Sequence, residues 1–191
     1  MTGVVLKHAL SERGNDIYET PACAVQALLR VENLPPRLWE PACCRGAIVN
    51  VLRAAGHEVL ASDLVDYGDP THFYRRDFLL EHKLPDGCQA IVTNPPYKLA
   101  EAFVQHALHL CPRVVMLLRL AFLESERRRD ILENRGLARV HVFRNRLPMM
   151  HRDQWQGPKA SSATPFAWYC WDRAHTGAPT IHRISWTGEA A

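Results

Sequence analysis

The sequence predicts an α/β protein built on a doubly wound, mostly parallel sheet, with an antiparallel strand near the C-terminus. Strand-like and helix-like segments take turns along the chain, the pattern of a parallel sheet covered on both faces. Residues 113–120, RVVMLLRL, are a near-continuous apolar run, as expected for a central strand buried on both sides. Six β/α-like elements then give way to a last aromatic strand. At 191 residues and 47% hydrophobic, the chain fits one domain over 1–191 with a sizeable core.

Each element has its own local signal. Residues 21–31 carry helix-like apolar spacing after a Thr-Pro start. RLWEPA (37–42) reads as a short strand ending at proline, and AIVNVLRAAG (47–56) as a helix with a glycine stop. HEVLASD (57–63) is a strand ending on an acid, FYRRDFL (73–79) a third short strand, and QAIVTN (89–94) a fourth. LAEAFVQHALHL (99–110) has one apolar helical face, and SERRRDILENRG (125–136) reads as a polar helix stopped by Gly136. ARVHVF (138–143) and PFAWYCWD (165–172) are further strands, and TIHRISW (180–186) adds an edge. Trp168, Tyr169 and Trp171 read as core. Between them, residues 144–165 have no period at all.

Charge narrows the function less than it narrows the setting. A net charge of +3 allows an anionic partner such as nucleic acid without announcing one. Six cysteines without a C-x-x-C pair suggest reduced thiols in a cytoplasmic protein. No stretch has the length of a signal-peptide core or a membrane span, so no membrane is expected. Ten histidines show no metal-ligand spacing, and no metal is expected.

Ligands of doubly wound sheets bind beyond the carboxyl ends of the strands. Three strand ends carry special residues there: Glu40 to Gly46, Asp63, and Asn94 to Tyr97. EPACCRGA (40–47) places a glycine between the first strand and its helix, where backbone can approach a ligand. It lacks G-x-G-x-x-G, which disfavours a nicotinamide cofactor. Asp63 either accepts from ribose hydroxyls or caps a turn. Asp77 is open between a ligand role and pairing with Arg75 or Arg76.

The corner NPPY (94–97) is more specific. Pro95 and Pro96 fix φ and lack N–H groups, and Pro95 holds Asn94 extended. The Asn94 side-chain oxygen and the Pro95 carbonyl can then meet one planar amine from two sides, with Tyr97 offering a flat face. Two neutral acceptors favour rehybridisation of such an amine toward a usable lone pair. The plain alternative is a proline turn capping a strand.

N-P-P-Y after the fourth strand, with E-P-A-C-C-R-G-A after the first, resembles the S-adenosylmethionine-dependent amino-methyltransferases, especially the N6-adenine DNA methyltransferases. The likeness covers residues 15–120 and implies a Rossmann-like sheet of the class I methyltransferase type. It implies that Asn94 and Pro95 grip the target amine, Pro96 supports them and Tyr97 stacks the target. It implies a cofactor site of Glu40, Pro41, Ala42, Cys43 and Gly46 around the methionine part, Asp63 on the ribose, Asp77 and Phe78 beside the adenine, with Asn94 also contacting the cofactor. Upstream, Y-E-T-P (Tyr18, Thr20, Pro21) matches a segment covering the cofactor, placing residues 1–36 over the site and giving the gamma-like motif order. Cys44 departs from the pattern, standing where the family has a glycine.

The segment 144–165 is the candidate substrate loop, with Arg144, Arg146, His151, Arg152, Trp155 and Lys159 suited to phosphate contact and base stacking; a solvated connection packed through Met149 and Trp155 is the other reading. Arg127, Arg128 and Arg129 read as a salt-bridged helix face. Adenine N6 in DNA is the expected target. RNA adenine or a protein glutamine amide stays open, as does a catalytically silent binding domain, which Cys44 motivates.

Overall fold

The computed structural model describes residues 19–68, 73–148 and 164–187. Within them run α1 (Ala22–Leu29), β1 (Arg37–Glu40), α2 (Ala47–Ala54), β2 (Glu58–Asp63), β3 (Phe73–Arg75), β4 (Ala90–Thr93), α3 (Ala100–Leu110), β5 (Arg113–Arg119), β6 (Leu137–Phe143), β7 (Phe166–Asp172) and β8 (Thr180–Ile184). The strands make one eight-stranded sheet in the order β3-β2-β1-β4-β5-β7-β6-β8. From β3 to β5 all neighbours are parallel. β7 inserts antiparallel between β5 and β6, and β8 forms the far edge, parallel to β6.

Alternation along the strands decides which side chains go to which face. Leu38, Val92, Val115, Leu117 and Trp168 point to the face covered by α1 and α2, where Val25, Leu28, Ile48 and Leu52 meet them. Trp39, Ile91, Val114, Met116, Tyr169 and Trp171 point to the other face, against Phe103, Val104 and Ala107 of α3. In α3 the buried residues Ala100, Phe103, Val104 and Ala107 recur at the i, i+3, i+4, i+7 spacing of a helix with one apolar stripe. Burying both faces explains why β4, β5 and β7 read as continuous apolar runs.

Two expected elements differ. Residues 125–136 are not an α-helix: a 3-10 turn at Glu126–Arg128 is followed by a π-type turn at Asp130–Asn134. Only Ile131 of that segment is buried, and one anchor does not make the apolar stripe that stabilises a helix. Arg128 also spends its guanidinium on the carbonyls of Ala121, Phe122 and Glu124. The arginine run is salt-bridged all the same, Arg127 to Glu101 and Arg129 to Glu126 and Glu133. The third strand is shorter than 73–79, because Asp77 caps a 3-10 turn at Phe78–Leu80 by accepting from the Leu79 N–H at 3.0 Å.

Gly136 enters β6 at φ 72°, and a Cβ there would lie 2.4 Å from the Asp172 carbonyl oxygen at the end of β7. Just beyond α1, Glu32 is buried beneath β6, where Arg139 holds both its oxygens and His141 Nε2 lies 2.6 Å from Oε1. Cys170 completes this cluster. The cation that neutralises Glu32 is the Arg139 guanidinium, in an ion pair that is mostly enclosed. All six cysteines are unbridged, and no helix among the described residues is long and apolar enough to cross a membrane.

Candidate active site

The sheet reverses its winding between β1 and β4, and the carboxyl ends of β1, β2 and β4 surround one cavity of about 260 Å³ there. The turn after β1 is built by short-range bonds. The Cys43 N–H donates to the Ser62 carbonyl at 3.0 Å and the Gly46 N–H to the Cys43 carbonyl at 2.7 Å. Gly46, at φ 80°, then starts α2. Cys44 sits at φ 50°, a left-handed conformation that glycine adopts without strain and cysteine does not. Its N–H donates to Asp63 Oδ2 at 2.8 Å, while Asp63 Oδ1 accepts from the Val65 N–H at 3.0 Å. Asp63 therefore caps this turn and lines the cavity at once, with lone pairs left for a further donor.

Glu40 closes β1 and is 2% exposed. Burial, reinforced by the nearby Asp63 charge, pushes its carboxyl well above the usual range, against a hydrogen bond from the Val49 backbone. Its Oε2 has no hydrogen-bond partner among the described residues. A buried carboxyl lining a cavity with an idle oxygen suits a ligand that brings a cation or a donor. Desolvation also raises Asp63, which its backbone donors partly offset, and raises the thiols of Cys43 and of Cys44, the latter to about 11, so neither cavity cysteine is an activated nucleophile.

The NPPY corner forms the remaining wall. Asn94 Nδ2 donates to Thr20 Oγ1 at 3.0 Å, which orients the carboxamide and ties the strand end to the segment before α1. Pro95 is buried. The Leu99 N–H donates to the Pro96 carbonyl at 2.9 Å, winding Tyr97–Leu99 into a 3-10 turn. The Tyr97 ring lies 5.8 Å from that of Phe166, at 38°, and the Arg119 guanidinium carbon sits 4.3 Å from the Tyr97 ring centroid.

The cavity thus brings together Thr20, Glu40, Pro41, Ala42, Cys43, Asp63, Phe78 and Asn94 to Tyr97. Asp77 does not line it; its carboxylate is the cap of the turn that presents Phe78, and Arg76 pairs with Glu81 instead. Pro21 starts α1 beside Thr20. Arg144 and Arg146 follow β6 at the same sheet edge. Tyr18, His151, Arg152, Trp155 and Lys159 lie outside the described residues. Leu64, Val65 and Tyr67 also line the cavity, although no sequence argument singled them out. Their one signal was position, directly after the acid of β2, with Leu64 left 57% exposed.

No protein-family model and no curated protein sequence matches the chain. Solved structures do share its fold. It is similar to a protein described as the modification subunit of a type I restriction enzyme from Vibrio vulnificus YJ016, with a TM-score of 0.61 and 14% identity over 87% of this chain and 47% of that one. It is similar to the 23S rRNA methyltransferase ErmE, with a TM-score of 0.54 and 15% identity over 81% of this chain and 68% of that one. A third is magnesium protoporphyrin IX methyltransferase from Synechocystis PCC 6803 with bound SAM, at 0.51 and 17% over 78% and 76%. The chain spans about half the length of the modification subunit. The mixed eight-stranded sheet, parallel but for β7, is the fold of the class I methyltransferases.

Proposed function

We propose that this protein is an S-adenosylmethionine-dependent N-methyltransferase acting on an exocyclic amine, with adenine N6 in DNA as the target. The observation that carries this reading is the meeting of three strand-end turns, EPACCRG, Asp63 and NPPY, around one cavity at the winding reversal. The residues fit the cofactor. Glu40 offers a buried oxygen without a partner to a cation, Asp63 has acceptor capacity for sugar hydroxyls, and Phe78 and Ile48 supply apolar wall.

The cofactor would supply an electrophilic methyl on a sulfonium centre; the chain supplies position and polarisation. Asn94 Oδ1 and the Pro95 carbonyl would accept the two amine hydrogens, and the Thr20 bond sets the direction of the Asn94 carboxamide. Tyr97 would stack the ring that bears the amine. No ionised base is needed while the amine attacks, because the proton can leave after transfer. In duplex DNA the base must first leave the stack, at a cost of a few kcal/mol.

RNA adenine is the second reading, favoured by the fold shared with the 23S rRNA methyltransferase ErmE. Labelled S-adenosylmethionine presented with DNA, RNA and protein pools separates the substrates, and label in protein alone overturns the adenine assignment. Asn94→Ala is expected to keep cofactor affinity and to lose transfer by about a hundredfold. Near-normal transfer in that variant would overturn the amine grip.

A further inference from the structure

The Tyr97 ring is already covered on one side. Arg119 closes β5 and is paired across the sheet with Phe166, the first residue of β7. Neighbouring strand ends therefore deliver Arg119 and Phe166 to the ring that follows β4. A guanidinium 4.3 Å from the centroid occupies one of the two faces on which a planar base could stack.

Several described arginines are spent elsewhere. Arg37, Arg76, Arg127, Arg129, Arg135 and Arg139 are in ion pairs. Arg119 is exposed, and among the described residues its guanidinium has no carboxylate or carbonyl partner; the π face is its one contact. Five N–H donors held by a weak contact are available to an anion, and the guanidinium fork matches phosphate oxygens in pairs. Arg144, also exposed, follows β6, two strand positions from β5 along the same edge.

We infer that Arg119 is a substrate-positioning residue: it holds the stacking place on Tyr97 until the target base enters, then pairs with a phosphate flanking the target nucleotide. The inference rests on the amino-methyltransferase reading and deepens it, because a nucleotide brings that phosphate with its amine and a protein glutamine does not. Arg119 therefore selects nucleic acid as the substrate class.

The test is a double-mutant cycle between Arg119 and that phosphate. Binding of single-stranded oligonucleotides bearing one adenine is followed by fluorescence anisotropy, with the demethylated cofactor product present. The flanking phosphate is native or replaced by a neutral methylphosphonate. For the unchanged protein, neutralising the phosphate is expected to weaken binding about tenfold and to reduce the salt slope by about 0.7. Arg119→Ala should do the same, and the two changes together should cost no more than either alone. Arg119→Lys should restore the salt slope but only part of the affinity, since a point charge cannot form the fork. In turnover, KM rises more than kcat falls.

Full sensitivity to phosphate neutralisation in Arg119→Ala would overturn the role of Arg119 while leaving the methyltransferase reading intact. Transfer to protein but to no oligonucleotide by the unchanged protein would overturn the role of Arg119 and the adenine assignment together.

Discussion

Thr20 and Asn94, 74 positions apart in sequence, are joined by a 3.0 Å hydrogen bond from the Asn94 carboxamide to the threonine hydroxyl. The segment before α1 thereby sets the direction of the amide at the end of β4. Thr20→Val keeps the shape and removes the acceptor. One hydrogen bond is worth about 1 kcal/mol, so methyl transfer should fall about fivefold through kcat, with cofactor affinity held within about twofold. Single-turnover kinetics beside calorimetry would check it.

Glu40 predicts a proton-linked cofactor affinity. Burial, reinforced by the Asp63 charge, raises its carboxyl well above the usual range, so the free protein keeps a proton there at pH values where an ordinary glutamate has already lost it. A bound cation favours the carboxylate and lowers that pKa. Affinity should therefore climb as pH rises toward the raised value of the free protein and level off above it, with proton release on binding. Calorimetry in buffers of different ionisation enthalpy measures that release, and Glu40→Gln should abolish it and weaken binding about tenfold.

Cys44 pays for a left-handed backbone with a side chain in place. Cys44→Gly removes that strain but gives the unfolded chain more freedom, so its stability should stay within about 1 kcal/mol of the unchanged protein. Cys44→Val adds a β-branch at the same φ and should cost about 2 kcal/mol. Urea titration would separate the two.

Glu32 should make the fold acid-sensitive. Burial raises its carboxyl, but hydrogen bonds from His141 and Arg139 and the Arg139 charge bring it down to about 2. A depressed folded-state pKa contributes stability that is complete above the ordinary value near 4.5 and is lost as pH falls from there through about 2. Glu32→Gln leaves Arg139 without its counter-charge, should cost about 2–4 kcal/mol at neutral pH, and should flatten the acid limb of a stability–pH curve.

The parallel half of the sheet was legible because burial on both faces writes itself as apolar runs, RVVMLLR above all, and because proline, glycine and acid residues mark where those runs stop. Asn94 to Tyr97 was legible for the same reason: two prolines restrict the backbone whatever surrounds them. Residues 125–136 misled because charge spacing suits a solvated helix, while the deciding facts were tertiary, namely one buried anchor at Ile131 and an Arg128 occupied by three carbonyls. Arg119 was invisible because its meaning depends on β5 lying beside β4 and carrying its last residue to the Tyr97 ring, which no local pattern encodes. Asp63 reads both ways in sequence and does both things in space: it caps the Cys44 turn and faces the cavity.

Gly136 is remote from every residue discussed as a site, yet it sits against the Asp172 carbonyl with no room for even a methyl group. Any replacement must shift the backbone where β6 meets the end of β7, and the opposite end of β7 is Phe166, which leans on Tyr97. A blind genetic screen for loss of the proposed methyl transfer is therefore expected to return this glycine alongside the NPPY residues, and a heat map of tolerated substitutions would mark a dependence of the proposed site at the far end of a strand.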